Sequence, residues 1–396
     1  MRPRNRILFS VLLSTLFVLC FAADTRSQTR VDNPARPLSK NAGRVVNLEE
    51  VLRIRDDGAN MIFRAPRDLC LGPEGSLYFT DYTGSPALYR FGPKGGLVFK
   101  ILKKGQGPGE IQSAQGYLVS PEQIRVLSWN PPKIMSFSPD GRYLREARVA
   151  EDTHGLWFLG QVQGRIYGIR DELFSSKTFN TSRSSPVFSV PNSVYEISPD
   201  FKIWRKLCEF PVRTVLRRGG GFRLDPIGAV ISGTTLYILH TAEYQVTAFD
   251  LPAGRIKHIL RRAYDRVRTK SQMPAQAGED PEMRGIDLPD DSFAWDISRI
   301  QAAAGKLFVF TSTFRGGADD QQVDVFDSEG KFIDSIALRF PPGDLNHQAV
   351  SRWTILTDEG IFIIPEQDPD GLVSIGHYRI KDPALFPSPT SQRRIP

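Results

Sequence analysis

The sequence has few residues that could cross-link a fold. It contains 3 cysteines and 5 histidines in 396 residues, and one of the cysteines, Cys20, falls in an apolar run near the N-terminus. A body of about 350 residues buries roughly three-quarters of its unfolded surface. The chain therefore needs neither disulfides nor a structural metal in order to fold.

The motifs of common catalytic centres are missing too. The sequence has no Gly-x-Ser-x-Gly elbow, no His-Glu-x-x-His pair and no glycine loop for phosphate. The run Gly219-Gly220-Gly221 follows two arginines and has no strand-to-helix context. The segment DPDG at 368–371 lacks the later ligands of a calcium loop and is typical of a hairpin turn. No familiar nucleophile, zinc or nucleotide motif therefore points to an activity.

A large charge of one sign is also absent. The formal net charge is +7, and removal of a leader with three arginines leaves about +4, which is mild for this length. The densest basic segment comprises Arg255, Lys257, His258, Arg261, Arg262, Arg266, Arg268 and Lys270. It lacks a series of interleaved aromatic residues for base stacking, so we expect no nucleic acid partner. A patch for an acidic glycan or lipid headgroup and a solvated outer strand are both open, and the second is favoured.

The N-terminal residues have the pattern of a secretory leader. Three arginines in MRPRNR precede an apolar run that begins at Ile7, and the small residue Ala22 suits cleavage after it. We expect residues 1–22 to be removed and the protein to be secreted or periplasmic. The alternatives are an uncleaved anchor and lipidation at Cys20, where the preceding leucine is larger than a lipidation site requires.

The clearest structural signal is the segment from Leu69 to Glu110. Its apolar runs are short, rich in Leu, Tyr, Phe and Val, and interrupted by the turn sequences GPEG, TGSP and GPKG. This pattern predicts four antiparallel strands without a helix. One sheet of this kind cannot bury both of its faces, so copies of it must pack alongside.

These residues also carry a family resemblance. The run GSLYFTDYTGSPALYRFGPKGGLVFKILKKGQGPGEI, from Gly75 to Ile111, resembles an NHL-type repeat. Such repeats pass from a small-residue turn through an aromatic strand, an Asp-centred turn and a strand ending in Phe to a final Gly-x-Gly-Pro-Gly-Glu. NHL repeats are the units of six-bladed β-propellers, so the resemblance implies that fold.

Later segments repeat the pattern in part. They are residues 117–150, 155–210, 222–262, 293–340 and 353–380, and residues 263–291 are interpreted as an insertion. The last of these segments has three strands. The sequence therefore predicts an all-β fold, a six-bladed β-propeller of four-stranded antiparallel blades.

Residues 44–57 are predicted to close the ring. They precede the first blade, and the sixth blade is one strand short, so an N-terminal strand would complete it and remove an exposed edge. A helix is the alternative, because Leu48, Val51 and Leu52 also fit helical spacing. The propeller would then span 44–383, between a flexible polar tail at 23–43 and a loose proline-rich tail at 384–396.

The two cysteines that remain after the leader are expected to be free. Cys70 falls in the first blade and Cys208 in the third, so a whole blade lies between them. A disulfide needs Cα atoms closer than about 7 Å. Two separate buried thiols are therefore favoured over a bridge.

Polar residues recur near the end of the second strand of each blade. Counted from the residue that opens the strand, they are Asp81, Ser128, Arg170, His240 and Thr311, and the sixth blade offers Ile364 or Pro365. The loops after second strands share a face with the blade-to-blade connections, where propellers usually bind ligands. The five polar residues are therefore the candidate binding site. The alternative is that they cap their own turns.

The resemblance leaves two classes of function open. Some six-bladed relatives are metal-dependent lactonases or lyases, in which a hard cation such as calcium lies among carboxylates and amides near the channel axis. Arg170 would oppose a divalent ion at that place. We therefore expect no cofactor and no catalytic residue, and a non-catalytic exported protein that binds a protein, peptide or glycan. The metal-dependent enzyme is the alternative, and a membrane is a partner only if the leader is uncleaved or lipidated.

Overall fold

The structure is a computed structural model that describes part of the chain. The described residues are 29–55, 63–81, 86–149, 153, 155–172, 187–202, 204–217, 221–225, 227–268, 293–314, 320–339, 354–367 and 372–386. The predicted leader, most of the insertion at 263–291 and most of the C-terminal tail lie outside them. Within the described residues, no helix is long and apolar enough to cross a membrane.

The described chain is built almost entirely of β-strands, with a short 3-10 turn at Pro73–Gly75. Two N-terminal strands come first: β1 (Arg30–Asn33) and β2 (Arg44–Arg55). Blade 1 consists of β3 (Pro66–Leu71), β4 (Leu77–Asp81), β5 (Ala87–Phe91) and β6 (Leu97–Ile101). A short parallel pair follows it, β7 (Lys103–Lys104) and β8 (Glu110–Ile111). Blade 2 consists of β9 (Ser113–Val119), β10 (Ile124–Asn130), β11 (Pro132–Phe137) and β12 (Tyr143–Arg148).

The remaining blades follow the same antiparallel order. Blade 3 consists of β13 (Leu156–Val162), β14 (Arg165–Asp171), β15 (Val187–Ile197), β16 (Trp204–Arg217) and the added β17 (Gly221–Leu224). Blade 4 consists of β18 (Gly228–Ser232), β19 (Thr235–Leu239), β20 (Gln245–Asp250) and β21 (Arg255–Arg262). Blade 5 consists of β22 (Ile297–Ala303), β23 (Lys306–Phe314), β24 (Asp320–Phe326) and β25 (Phe332–Arg339). Blade 6 contributes β26 (Ile355–Leu356), β27 (Ile361–Gln367) and β28 (Val373–Ile380).

The hydrophobic core is divided among the interfaces between neighbouring blades. In the described residues, six clusters join the blades in succession: 1 and 2 (Tyr78, Val126), 2 and 3 (Leu127, Ile166), 3 and 4 (Ile169, Ile238), 4 and 5 (Leu239, Val309), 5 and 6 (Phe310, Phe362), and 6 and 1 (Ile363, Phe79). Both faces of each inner strand are therefore buried, as the stacking argument requires. Because the last cluster returns to blade 1, the blades form a closed ring, and the chain is the six-bladed β-propeller that the sequence predicts.

The ring is closed by β2, as predicted, and the helical alternative is wrong. Residues Leu48 to Arg55 pair antiparallel with β28 and supply the fourth strand of blade 6. The first part of the same strand, Arg44 to Asn47, pairs in parallel with β25 of blade 5. One strand thus joins the outer edges of two blades, which leaves neither of those edges open.

The segment before β2 is also held by the ring. Residues 30–33, which the sequence analysis assigns to a flexible tail, form β1 and pair in parallel with β21 of blade 4. The Asn33 side chain donates to the carbonyls of Arg261 and Gly330 and accepts from the Phe332 amide at 2.8 Å. One short amide side chain thereby connects blades 4 and 5, and this explains why such a polar segment is ordered.

A cluster of ion pairs connects the N-terminal and C-terminal parts of the described chain. The Arg44 guanidinium contacts both carboxylate oxygens of Asp334, at 3.0 and 2.7 Å, and lies 2.6 Å from Asp382. Leu385 and Phe386 are buried beside it in the core between blades 5 and 6. The C-terminal segment predicted to be loose at 384–396 is therefore part of the core at these two residues, because their apolar side chains cover an end of that interface.

Both cysteines are free thiols, as predicted. Burial raises the pKa of Cys70 to about 12 and that of Cys208 to about 11. Because the thiolate is the reactive form, both side chains behave as small apolar core residues and not as nucleophiles.

Candidate binding face

One face of the ring, here called the mouth face, carries the candidate site. In each antiparallel blade the second strand ends, and the third begins, at this face. The connection from one blade to the next reaches the same face. The five candidate residues lie in the last part of second strands or directly after them. Asp81 is the last residue of β4 and Arg170 the next to last of β14. Ser128 lies two residues before the end of β10, Thr311 three before the end of β23, and His240 directly after β19. The sequence register thus assigns them to one end of the ring.

The structure also shows where these side chains are directed. Residues two apart on a strand share a face, and Phe79, two before Asp81, lies in the core between blades 6 and 1. Val309, two before Thr311, lies in the core between blades 4 and 5. Each candidate side chain is therefore directed toward the preceding blade, at the mouth end of the wedge between two blades.

The same spacing identifies a sixth member of the set. Ile364 lies in the core between blades 5 and 6, and Glu366, two residues later, takes the position that Asp81 has in blade 1. Counting from the residue that opens the second strand gives Ile364 or Pro365 in blade 6 instead of Glu366. The count stops short here because the apolar residues of β27 begin farther from the mouth face than those of β4 do. In the run IFIIPE, side chains two residues apart share a face of the strand, and this alternation identifies Glu366. We call Asp81, Ser128, Arg170, His240, Thr311 and Glu366 the mouth ring.

Several members of the mouth ring bind groups of the protein itself. The Asp81 carboxylate accepts hydrogen bonds from the amides of Arg64 and Ala65, at 2.5 and 3.2 Å. The Ser128 hydroxyl donates to the Asn130 carbonyl at 3.2 Å, and the Thr311 hydroxyl donates to the Gln322 carbonyl at 3.1 Å. These three side chains cap turns or strand ends, which is the alternative that the sequence left open.

Glu366 is engaged as well. Its carboxylate is almost fully buried and accepts hydrogen bonds from the Arg53 guanidinium and the Tyr378 hydroxyl. Arg53 belongs to the closing strand β2 and Tyr378 to β28, so this contact also stabilises the closure of blade 6. Burial, together with Glu366, raises the pKa of Tyr378.

Arg170 and His240 have more open surroundings. The Arg170 guanidinium lies 3.5 Å from the Glu172 carboxylate, with about a fifth of each side chain exposed. The His240 ring lies 5.2 Å from the Phe210 ring of blade 3. Burial lowers the pKa of His240, although the carbonyl of Pro211 partly opposes the shift. The imidazole is therefore neutral at pH 7, and its Nδ1 atom has no hydrogen-bond partner in the described part of the chain.

A buried amide side chain that was not predicted from the sequence lies beside the mouth ring. Asn192 is fully buried and pairs with Asp171 on one side and with Phe210 on the other. Its Oδ1 atom has no hydrogen-bond partner in the described residues, while its amide nitrogen donates weakly to the Val190 carbonyl at 3.4 Å. We call Asn192, Phe210 and His240 the blade 3–4 wedge. A buried acceptor without a donor costs about 1–3 kcal/mol, so such a group calls for an explanation.

Blade 3 also extends beyond the ring at this point. Its β15 and β16 continue to pair from Val187 with Val215 to Pro191 with Pro211, past the last pair that β14 makes. Strand β17 adds to the edge of the extension. The third blade predicted from the sequence ends at Phe210 and lacks this extension, which the alternating apolar residues of FPVRTVL indicate. The extension overhangs the mouth face next to His240.

The described part of the basic segment, residues 255–268, is largely engaged in internal contacts, and Lys270 lies outside the described residues. Arg262 lies 3.1 Å from the buried carboxylate of Asp324, and Arg266 lies 2.9 Å from that of Asp296. Burial raises the pKa of both carboxyl groups against the opposing effect of their arginines. Arg261 binds the Gln245 side chain at 2.6 Å. The segment is therefore an outer strand, as the favoured interpretation has it, but it is not fully solvated, because the Arg262 side chain is buried against Asp324 of blade 5.

Among the described residues, no group of three or more His, Cys, Asp and Glu side chains is arranged to hold a metal ion. The two carboxylates of the mouth ring, Asp81 and Glu366, are instead bound by backbone amides and by Arg53 and Tyr378.

Comparison with known proteins agrees with the fold. A family model described as a 6-bladed beta-propeller matches residues 71–180. The curated tRNA (guanine-N(1)-)-methyltransferase of Buchnera aphidicola is 34% identical over 73 residues, which are 18% of this chain. The chain therefore spans 29% of that protein's length, and so short a match bears on neither fold nor function.

Solved structures with a similar fold include proteins of several kinds. A Bacteroides fragilis protein described as exported has 14% identity and a TM-score of 0.48, with 89% of this chain and 100% of that chain covered. The glutaminyl cyclase of Myxococcus xanthus has 9% identity and a TM-score of 0.32, covering 86% and 100%. The calcium-binding regucalcin of Agrobacterium tumefaciens has 12% identity and a TM-score of 0.38, covering 86% and 97%. These similarities are too distant to indicate a function.

Proposed function

We propose that the protein is an exported, non-catalytic β-propeller that binds a protein, peptide or glycan at its mouth face. The observation that carries the proposal is the blade 3–4 wedge, where Asn192 Oδ1 and His240 Nδ1 have no hydrogen-bond partner among the described residues and lie beside the Phe210 ring. The leader-like sequence at residues 1–22 supports export.

The polar groups at the mouth end of blade 3 suit a ligand with donors and acceptors. Asn192 Oδ1 and His240 Nδ1 lie in the wedge. The Arg170 guanidinium, which is directed toward blade 2, and the Glu172 carboxylate beside it add a donor and an acceptor at the same end of the blade. Peptide termini and sugar hydroxyls present such groups together with apolar surface. A ligand donor that reaches the wedge would offset the cost of about 1–3 kcal/mol for Asn192 Oδ1, which lacks a donor in the described residues.

The alternative is a metal-dependent lactonase or lyase that uses the same face. It would need carboxylates and amides directed at one cation. The Asp81 carboxylate accepts two backbone amides, and Glu366 binds a guanidinium and a phenol. These contacts favour binding over metal catalysis at the mouth ring. Stoichiometric calcium binding that is lost in Asp81→Ala would favour the enzyme.

The proposal predicts that Arg170→Ala weakens ligand binding and leaves the fold intact. A hydrogen bond from a charged donor contributes about 1.5–3 kcal/mol, so the dissociation constant should rise by roughly 10-fold to 100-fold. Ligands would first be identified on glycan and peptide arrays. The affinity of wild type and variant would then be measured by isothermal titration calorimetry in EDTA.

Arg165→Ala is the matched control. Arg165 lies on the same strand as Arg170 but at its other end, where it forms an exposed ion pair with Glu196 at 3.0 Å. Its replacement should leave the affinity unchanged. Equal effects of the two substitutions, or no effect of Arg170→Ala on any ligand found, would refute binding at the mouth face.

A further inference from the structure

The N-terminal segment forms a strap around the outside of the ring. We define the strap as residues 30–55, which run along the outer edges of blades 4, 5 and 6. The strap contacts the ring along two strand pairings, which we call seams. The first seam is the pairing of β1 with β21, where Asn33 also binds the Gly330 carbonyl. The second seam is the later part of β2 against β28. Between them, the amides of Leu38 and Ser39 donate to carbonyls of β25.

A buried histidine lies under the first seam. His258 on β21 is 4% exposed, and its Nε2 atom has no hydrogen-bond partner within the described chain. The ring faces Gly330 so closely that a Cβ atom there would lie 2.8 Å from Nε2. Gly330 is the residue whose carbonyl holds Asn33 at 2.9 Å. Gly330, which binds the strap through Asn33, is therefore in direct contact with the His258 imidazole.

A second histidine, which is only partly exposed, lies at the other seam. His377 on β28 pairs with Leu52 of the strap and with Ile363 of β27. Its Nε2 atom also has no hydrogen-bond partner among the described residues. Leu52 and Ile363 belong to the apolar core between blades 6 and 1. Each seam therefore contains one imidazole nitrogen that has no acceptor for an added proton within the described part of the chain.

We propose that the strap is an acid-sensitive closure, in which proton uptake by His258 and His377 weakens the two seams and makes brief openings of the strap from an otherwise folded ring more frequent. A protonated imidazole needs a second acceptor or water. A partner for the added proton becomes accessible when Gly330, which binds the strap, and Leu52, which belongs to it, move away. Acidification would then expose the outer edges of β21, β25 and β28 more often.

The surroundings of the His258 and His377 imidazoles are consistent with weaker docking of the strap in acid. Burial lowers the pKa of His258, Lys257 on the same strand lowers it further, and Asp327 in the adjoining turn of blade 5 opposes the shift. Burial alone lowers the pKa of His377, to about 4. The charged side chains of Arg53 and Glu366 bind each other with Tyr378 on the opposite face of the sheet.

The sign of the pH effect follows from these directions. A released histidine has a pKa of about 6.5, above its value in the docked state, so the released state binds more protons. Docking is therefore strongest above about pH 6.5 and weakens as the pH falls. For His377 alone, the shift from 6.5 to about 4 corresponds to roughly 30-fold weaker docking at pH 5. Docking reaches a plateau below the docked pKa.

Hydrogen–deuterium exchange on the mature wild-type protein tests the inference. Protection factors, corrected for intrinsic exchange, would be compared at pH 7.5 and pH 5.0 for strands β1 and β2. We expect protection in the strap to fall at least tenfold at pH 5.0, while β10 in blade 2 stays protected. His258→Gln/His377→Gln should keep the strap protected at both pH values.

His240→Gln is the control, because His240 is a partly buried histidine with a lowered pKa that lies outside both seams. It should respond to acid as wild type does. The inference is overturned if the wild-type strap stays protected at pH 5.0, or if the double variant loses protection equally. Should the double variant not fold, NMR titration of the wild-type imidazoles decides, and midpoints at or above 6.5 for both seam histidines would contradict the proposal.

Discussion

A chain that begins at Gly58, without strands β1 and β2, is expected to lose cooperative unfolding. Strand β2 supplies the fourth strand of blade 6 and also pairs with blade 5. Its Ile54 is buried in the core between blades 6 and 1, and Val46 in the core between blades 5 and 6. Removing it would open two sheet edges and two cores at the point where the ring closes. We expect a broad, low-temperature transition by circular dichroism and calorimetry.

A chain that begins at Gly43 is the control for this deletion. It lacks β1 but keeps all of β2, including Arg44, which binds Asp334 and Asp382. It should unfold in one transition with a modest loss of stability, because the first seam is only four residues long. An unchanged melting curve for the chain from Gly58 would show that the ring is closed in another way.

Asp324→Ala is expected to destabilise the protein by about 3–5 kcal/mol, as removal of one partner from a buried ion pair does. The Asp324 side chain is fully buried and that of Arg262 is 7% exposed, with 3.1 Å between them. The same carboxylate accepts the Tyr244 hydroxyl at 2.7 Å and the Gln322 amide at 3.0 Å. The substitution therefore leaves a guanidinium, a phenol and an amide in the core without their acceptor.

Urea unfolding with Asp200→Ala as the control measures this effect. Asp200 forms an exposed ion pair with Lys202 at 3.6 Å, and such pairs contribute at most about 1 kcal/mol. Arg262→Met/Asp324→Leu should recover much of the loss, because it removes both charges from the core. A cost for Asp324→Ala no greater than that of the control would contradict the role assigned to this cluster.

The blades could be predicted because their signals are local. Turn sequences separate short strands, and the positive φ angles of Gly95 and Gly141, at 80° and 87°, are those that tight turns require of glycine. The need for β2 follows from counting strands in blade 6. Strand β1 escaped prediction because its four residues depend on distant partners, chiefly Gly330 and Phe332 of blade 5, which no local pattern reveals.

The candidate site was predicted less completely than the fold. Alternation gives the register of each second strand, and it correctly assigns Asp81 and Thr311 to equivalent positions. It does not tell whether a carboxylate or hydroxyl is already bound by a neighbouring amide or carbonyl, as these are. Asn192 was missed because an asparagine within a strand carries no motif, and its burial depends on how blades 3 and 4 pack together.

The most direct test of the proposed function is calorimetric titration of an array-identified ligand into Asn192→Leu. Leucine has a similar volume and removes an acceptor that has no donor among the described residues, so the variant should be at least as stable as wild type. The account predicts an affinity at least tenfold lower than that of wild type, because a buried acceptor that a ligand satisfies contributes about 1–3 kcal/mol. Wild-type affinity in a stable Asn192→Leu protein would show that the ligand does not reach the blade 3–4 wedge and would contradict the account.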